Sequence, residues 1–426
     1  MAGMPENPAI SVVIPTYNAA KFLREALVSL VAQTFADWEA VCVNDGSTDN
    51  SLEILQEYAA RDARFRILDG PNGGYGKAMN RGMDAARGKY MAILEPDDIL
   101  PVRAYEVLWR NAQEYGLDVS RGAASHFYTA ENGECVHEYW VDAVEPDRVF
   151  CPADSLAFMD SVPSTWTALY RLDFLRGSGI RHHETPGASY QDAGFFFLTA
   201  AYAARCMVSH EVVYLYRTDN AASSVRKRIR DLETVSREYF YVQSRLGAAL
   251  LQRECVRLAL HRRFVEGNLW LYGILADDQR EEFLRCLGRD LPVFAGESVH
   301  LFPEGLRQRA EAIQQGPAAF MALLHAEQER AQAEQRREFA GKQGMFFKSG
   351  PGWRECRVLG VPVFRVEMSA AVTRRLLFGI PLFERRRVDV LQEVAPGQRV
   401  PVGWRDVYRL AGIPVAEKVR GTKPGT

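Results

Sequence analysis

Four short apolar runs punctuate the first hundred residues, and between them apolar positions recur at helical spacing. Ser11-Val-Val-Ile14 reads as a buried strand stopped by Pro15, and Phe22, Leu23, Ala26, Leu27, Leu30 and Val31 share one face of a helix over 20–31. Residues 38–43 form a second strand, and Ser47 or Thr48 can cap a helix carrying Leu52, Ile54, Leu55 and Tyr58. Residues 65–68 are a third strand, 77–87 a helix and 90–94 a fourth strand. Strands alternating with helices in this way predict a right-handed βαβ array around a parallel sheet.

Two acidic clusters follow strands of this array. One is Asn44-Asp45-Gly46-Ser47-Thr48-Asp49, and the other is Glu95-Pro96-Asp97-Asp98. Both fall at the carboxyl ends of strands, where open α/β sheets bind ligands. Carboxylates gathered there suit a metal ion and a phosphorylated ligand.

These clusters, together with Val-Val-Ile-Pro15-Thr16-Tyr17-Asn18, resemble the family 2 glycosyltransferases, with their nucleotide-sugar-binding GT-A fold. Pro163-Ser-Thr-Trp166, Tyr190-Gln191-Asp192 and Tyr216-Arg217-Thr-Asp-Asn220-Ala-Ala-Ser223-Ser224 resemble the acceptor-side segments of bacterial polysaccharide members. The similarity covers roughly residues 10 to 228. It implies that Thr16, Tyr17 and Asp45 line the nucleotide pocket, Asp45 through the base or ribose. It also implies that Glu95, Asp97 and Asp98 hold Mg²⁺ or Mn²⁺ against the donor diphosphate, with Asp97 also contacting the nucleotide.

Inverting transfer needs a base on the acceptor hydroxyl. The resemblance assigns that role to Asp192. A carboxylate capping the helix over 193–204 would keep a low pKa there. Two departures stand out, Glu95 where the family often has Asp and Gln191 where it has Glu.

The stretch Gly70-Pro-Asn72-Gly73-Gly74-Tyr75-Gly76-Lys77-Ala78 superficially suggests a phosphate loop, but it has Pro71 and Ala78 where a Walker loop needs Gly and Ser or Thr. Lys77 either faces a phosphate or is simply solvated. Arg217, Asn220, Ser223, Ser224, Arg226 and Lys227 form a basic, hydroxyl-rich segment able to fold over a diphosphate, with Arg217 and Ser224 as the nucleotide contacts. The alternative is a basic helix start over 225–230. His182, His183 and Glu184 fall near the acceptor rim.

At 426 residues the chain exceeds the size of a single core, so two or three domains are expected. Its seven cysteines are scattered and include no Cys-x-x-Cys pair, which argues for reduced thiols rather than a disulfide framework or zinc site. The first residues carry neither a basic segment nor an apolar core, and no apolar run reaches the roughly 18 residues of a membrane span. A cytoplasmic enzyme is expected.

The pattern changes after residue 230. Residues 231–289 read as amphipathic helices, including Val256, Leu258, Leu260 and Phe264, and 306–342 as an exposed, Ala/Glu/Gln/Arg-rich helical spacer. The rest carries a degenerate repeat, Leu359-Gly360-Val361-Pro362, Phe378-Gly379-Ile380-Pro381 and Ala411-Gly412-Ile413-Pro414, suggesting short two-stranded units. Residues 346–426 hold three Lys and twelve Arg against seven acidic residues, a net of +8 within a chain of −2. A basic face toward an anionic partner, such as the inner face of a membrane, follows.

The expected organisation is thus an α/β GT-A domain over 1–230, a helical region over 231–344 and a small basic β-repeat tail over 345–426. The expected activity is an inverting, metal-dependent transfer from a nucleoside-diphosphate sugar, foremost a UDP-sugar, to a glycan or lipid-linked acceptor of a bacterial surface polysaccharide. A homo-oligomer is compatible with the tail, and nucleic acid is not an expected partner. The alternatives are a degenerate module that binds nucleotide sugar or glycan without turnover, and a nucleotidyltransferase, whose glycine-rich loop after the first strand is missing here.

Overall fold

The computed structural model describes residues 7–129, 135–140, 146–220 and 231–340, and strand segments between 346 and 420. The chain divides into two compact units, one of residues 1–124 and 140–323 and the other of residues 125–139 and 324–426.

The first unit begins with β1 (Ile10–Thr16), α1 (Ala20–Val31), β2 (Trp38–Asp45), α2 (Ser51–Arg61), β3 (Phe65–Gly70), α3 (Tyr75–Ala85) and β4 (Tyr90–Ile93). Strand β1 pairs in parallel with β2 on one side and β4 on the other, and β2 pairs in parallel with β3. Every residue of β1, β2 and β4 is buried, as continuous apolar runs require when helices cover a parallel sheet. Leu23, Ala26, Leu27 and Leu30 of α1 enter the same core as Val12, Ile14 and Cys42. Each such large side chain taken fully out of water contributes about 1.5–3 kcal/mol.

Next come α4 (Ala104–Tyr115), β5 (Val119–Thr129), β6 (Cys135–Trp140), β7 (Val149–Phe150), α5 (Leu156–Met159), β8 (Ala168–Arg171), α6 (Leu172–Gly177), α7 (Gln191–Tyr202) and β9 (Cys206–Arg217). The sheet order is β3-β2-β1-β4-β8-β5-β9-β7, with β6 on β5. Strand β8 runs antiparallel to β4, so the parallel half gives way to an antiparallel half at the strand that ends in the second acidic cluster.

The helices α8 (Thr234–Arg245), α9 (Ala248–Gln252), α10 (Glu254–Ile274), α11 (Asp277–Ala295), α12 (Glu304–Gln315) and α13 (Pro317–Ala340) follow. As far as Leu323 they belong to the first unit. The stretch expected to be an exposed spacer is in fact broken at Gly316-Pro317, and its first part packs. Ala310, Ala312 and Ile313 of α12 and Phe320 of α13 are buried. Helix α12 packs against α11, closely enough that a Cβ on Gly288 of α11 would lie 3.1 Å from the Ile313 carbonyl oxygen.

The caps of α2 also differ from expectation. The helix starts at Ser51, and Ser47 and Thr48 bond to the turn after β1. Asn18 Oδ1 accepts from the Thr48 N–H at 2.7 Å, and Ser47 Oγ accepts from the Asn18 N–H at 3.1 Å. Asp49 Oδ2 and Ser51 Oγ accept from the backbone of Ala20 and Ala19. Side chains that could cap their own helix instead tie together the two loops at the carboxyl ends of β1 and β2.

Among the described residues no helix is long and apolar enough to cross a membrane.

Candidate functional site

Asp45 ends β2, and its carboxylate accepts the N–H of Gly73 at 2.8 Å and of Gly74 at 3.0 Å. It therefore organises the glycine-rich segment before α3. The glycines there serve close packing. Gly74 has φ +88°, and a Cβ on Gly76 would lie 2.0 Å from the His183 carbonyl oxygen. The start of α3 thus sits directly on the loop that leads to α7, and Tyr75 donates its N–H to the Gly187 carbonyl at 2.9 Å.

One turn further, Asn80 donates to the His182 carbonyl at 3.0 Å and to Glu184 Oε1 at 2.8 Å, while accepting the His182 N–H at 3.0 Å. Lys77 is solvent-exposed, with its stem over Gly73.

The second acidic cluster is more tightly built. Asp98 is buried, and its Oδ1 accepts the Arg217 N–H at 2.7 Å. The Arg217 side chain donates to the Asp97 carbonyl at 2.8 Å and to Glu25 at 2.5 Å, and it lies over the Phe22 ring. Arg217 is thus a buried clamp beneath the acidic turn. Asp97 is partly exposed and accepts from Asn220 Nδ2 at 2.7 Å. Glu95 Oε1 accepts from the Tyr75 hydroxyl at 2.7 Å, and its N–H donates to the Tyr214 hydroxyl at 3.0 Å.

The electrostatics match this crowding. Burial, with the charges of Asp97 and Asp192 added, pushes the Glu95 carboxyl up to about 8 despite a hydrogen bond from Tyr75. Burial first and Asp97 second raise Asp98 well above the carboxylate range. Among the described residues no group of three His, Cys, Asp or Glu forms a ready cation cage. The donor set nevertheless fits a hard divalent ion, since carboxylates whose ionisation is opposed by one another gain from a cation beside them. Water and phosphate oxygens would complete its shell.

Asp192 lies in the first turn of α7 and accepts the Ala193 N–H at 2.9 Å. Its pKa is not low, as capping alone would make it. Burial raises it, outweighing the backbone bonds. A carboxyl poised upward is better suited to accept a proton. Tyr75 joins the two regions, since its hydroxyl bonds Glu95 of the acidic turn and its N–H bonds Gly187 of the loop before α7, and the charge of Asp192 is among the causes that raise Glu95. Gln191, in the place of the family's Glu, is buried and supports the preceding loop. Its Nε2 donates to Thr185 Oγ1 at 2.7 Å and its Oε1 accepts the Ser189 N–H at 2.6 Å.

The remaining expected residues divide. Thr16 is buried with its hydroxyl turned back to the Ile14 carbonyl, whereas Tyr17 stands half exposed at the end of β1. Ser223, Ser224, Arg226 and Lys227 lie outside the described residues. His182 is buried flat against Phe195, and His183 Nδ1 pairs with Glu238 of α8 at 2.8 Å. Tyr75, Tyr214 and Glu238 join these contacts with no motif to mark them. Of these Tyr214 has a sequence signal, the alternation with Tyr216 along β9; the Tyr216 ring stacks on Trp166 and the Tyr214 ring meets it tilted by 32°.

A doubly wound sheet with an acidic turn at its switch point defines the nucleotide-sugar-binding class with the GT-A fold. Residues 11–142 match the family model Glycosyl transferase family 2, so the chain carries a family 2 glycosyltransferase domain of GT-A type.

Among curated relatives, it is 30% identical over 216 residues to an uncharacterized glycosyltransferase, EpsJ, of Bacillus subtilis, covering 49% of this chain and 61% of the relative. It is 32% identical over 219 residues to an uncharacterized glycosyltransferase, YibD, of Escherichia coli, covering 50% and 63%. The chain thus spans less than two thirds of either relative. The fold matches that of TarS residues 1–349 from S. aureus, solved in complex with UDP-GlcNAc, with TM-score 0.59 and 19% identity over 82% of this chain and 96% of that one.

Proposed function

We propose that the protein is an inverting, metal-dependent glycosyltransferase that takes its sugar from a nucleoside diphosphate, foremost a UDP-sugar. The observation that carries this reading is the junction at Tyr75, which bonds Glu95 of the acidic turn and Gly187 of the loop leading to Asp192 within a family 2 domain. TarS crystallised with UDP-GlcNAc supports the choice of nucleotide.

In this reading Asp97 holds the divalent ion, with Asp98 and Glu95 behind it, and the ion neutralises the charge that develops on the leaving diphosphate. Asp45, by fixing Gly73 and Gly74, sets the floor for the base and ribose beside Tyr17. Asp192 accepts the proton of the acceptor hydroxyl as that oxygen attacks the anomeric carbon. Ser224, Lys77 and the 221–230 segment supply donors to the diphosphate, while Arg217 holds the acidic turn in shape.

The acceptor is a glycan or lipid-linked glycan of a surface polysaccharide. Residues 1–230 bind the donor, 231–344 are helical, and 345–426 are a basic β-repeat tail suited to anionic membrane or to self-association. Support for the tail comes from the pairings Val358 with Val361, Leu377 with Ile380 and Leu410 with Ile413, each beside a register shift.

The experiment is release or transfer of radiolabelled sugar from UDP-sugars with and without Mn²⁺. Metal-dependent turnover is expected. Nucleotide binding with no turnover across donors and acceptors would favour a binding module instead.

A further inference from the structure

Helix α10 lies in the region that the sequence assigns to a helical middle, yet its Trp270 touches Tyr190, two residues before Asp192. Trp270 is 47% exposed, one of the two most exposed aromatic side chains among the described residues, and its ring meets that of Tyr190 edge to face at 5.7 Å. Tyr190 immediately precedes Gln191 and Asp192. It is held at φ 68°, a left-handed conformation that costs an aromatic residue energy and that the surrounding fold must enforce.

Arg263, two turns earlier on the same helix, is close enough for its charge to lower the pKa of Asp192. Between them is Gly267, where a Cβ would come within 3.1 Å of Val235 of α8, so α10 closes tightly on the helix that packs against α7. The hydroxyl of Tyr190 is buried and has no hydrogen-bond partner.

A half-exposed indole kept against the ring two residues before Asp192 is poorly explained by folding, since its exposed face gains nothing from the core. Carbohydrate rings present an apolar C–H face and a polar rim, and an aromatic wall with a few convergent polar groups is the surface that binds them. We propose that Trp270 and Tyr190 form the stacking wall of an acceptor subsite that takes a pyranose ring next to Asp192. The inference rests on the glycosyltransferase reading for the word acceptor, but its test does not. The edge-on Tyr190 supports the indole plane, and the left-handed backbone at Tyr190 turns the chain between that ring and Asp192. Arg263, two turns before Trp270 on α10 and among the charges acting on Asp192, is a donor that ring hydroxyls would find.

The test is a titration of the full-length, ¹⁵N-tryptophan-labelled protein with methyl β-glucopyranoside and methyl β-galactopyranoside, using glycerol as the control polyol without a ring. The Trp270 indole signal is assigned by its loss in Trp270→Phe, a substitution at an exposed position. At least one pyranoside should shift that signal saturably in the millimolar range, and glycerol should not. An indole signal that no pyranoside moves, or that glycerol moves equally, would overturn the proposal. UDP with Mg²⁺, added to the same sample, tests the donor reading separately. Loss of the UDP response with the pyranoside shift intact would remove the donor assignment and leave the subsite standing.

Discussion

The hydroxyl of Tyr75 donates to Glu95 Oε1 at 2.7 Å, joining the glycine-rich segment to the acidic turn. Glu95 is one methylene longer than the Asp often found at that position, and the extra reach ends on a phenol rather than in open cleft. Of the influences on the Glu95 carboxyl, this bond is the one that lowers its pKa. Tyr75→Phe should therefore move the value upward from about 8. If Glu95 acts ionised, the acid limb of the kcat/KM profile between pH 6 and 9 should shift to higher pH. A limb that stays in place would show that ionised Glu95 is not required.

Asp192→Asn should lower turnover by roughly 10² to 10⁴, the range for losing a general base, with donor affinity little changed. Steady-state kinetics with a fixed acceptor and varied UDP-sugar checks both halves. Loss of donor binding instead of rate would move the base elsewhere.

His182 provides a pH dependence of stability that does not involve the acidic turn. It is 1% exposed, and burial pushes its imidazole down to about 3. A depressed value means that the folded state resists protonation, so the contribution is full above the unfolded value of about 6.5 and is lost as pH falls toward 3. The loss between pH 7 and pH 5 is about 2 kcal/mol. Thermal unfolding across that window should show a steeper fall for the wild type than for His182→Phe, whose ring can stack on Phe195 without a proton to exclude. Parallel curves would place the proton uptake elsewhere.

Gly76→Ala puts a Cβ where the His183 carbonyl oxygen stands, at 2.0 Å. Either α3 or the loop over 183–187 must move, at a cost of about 1–3 kcal/mol. Because that loop leads to Asp192, the variant should lose acceptor turnover as well as melting temperature, while UDP binding with Mn²⁺ persists. Full activity at a lowered melting temperature would show that the loop does not position the base.

The sheet was legible because its strands are buried on both faces and read as unbroken apolar runs such as Val12-Val13-Ile14. The acidic turn was legible for a related reason, since carboxylates directly after such runs have few structural uses. What the sequence hid were long-range partners. Nothing local marks Asp45 as the anchor of Gly73, residues 28 apart, or Asn80 as the clasp of His182, 102 residues away. Asp192 is marked by its motif, but the burial that raises its pKa against its backbone bonds comes from the surrounding fold, which local capping does not reveal. The packing of α12 was hidden because Ala310 and Ala312 stand among charged and amide side chains in the sequence, while α11, whose packing buries them, lies elsewhere in the chain.

The most direct measurement is UDP affinity by titration calorimetry, with and without Mn²⁺, for the wild type and for the Asp97→Asn, Asp98→Asn double variant. The account predicts that Mn²⁺ strengthens UDP binding in the wild type by at least tenfold, about 1.4 kcal/mol, and that the double variant loses this gain while keeping its circular dichroism spectrum. Undiminished Mn²⁺-dependent affinity in the folded double variant would contradict it.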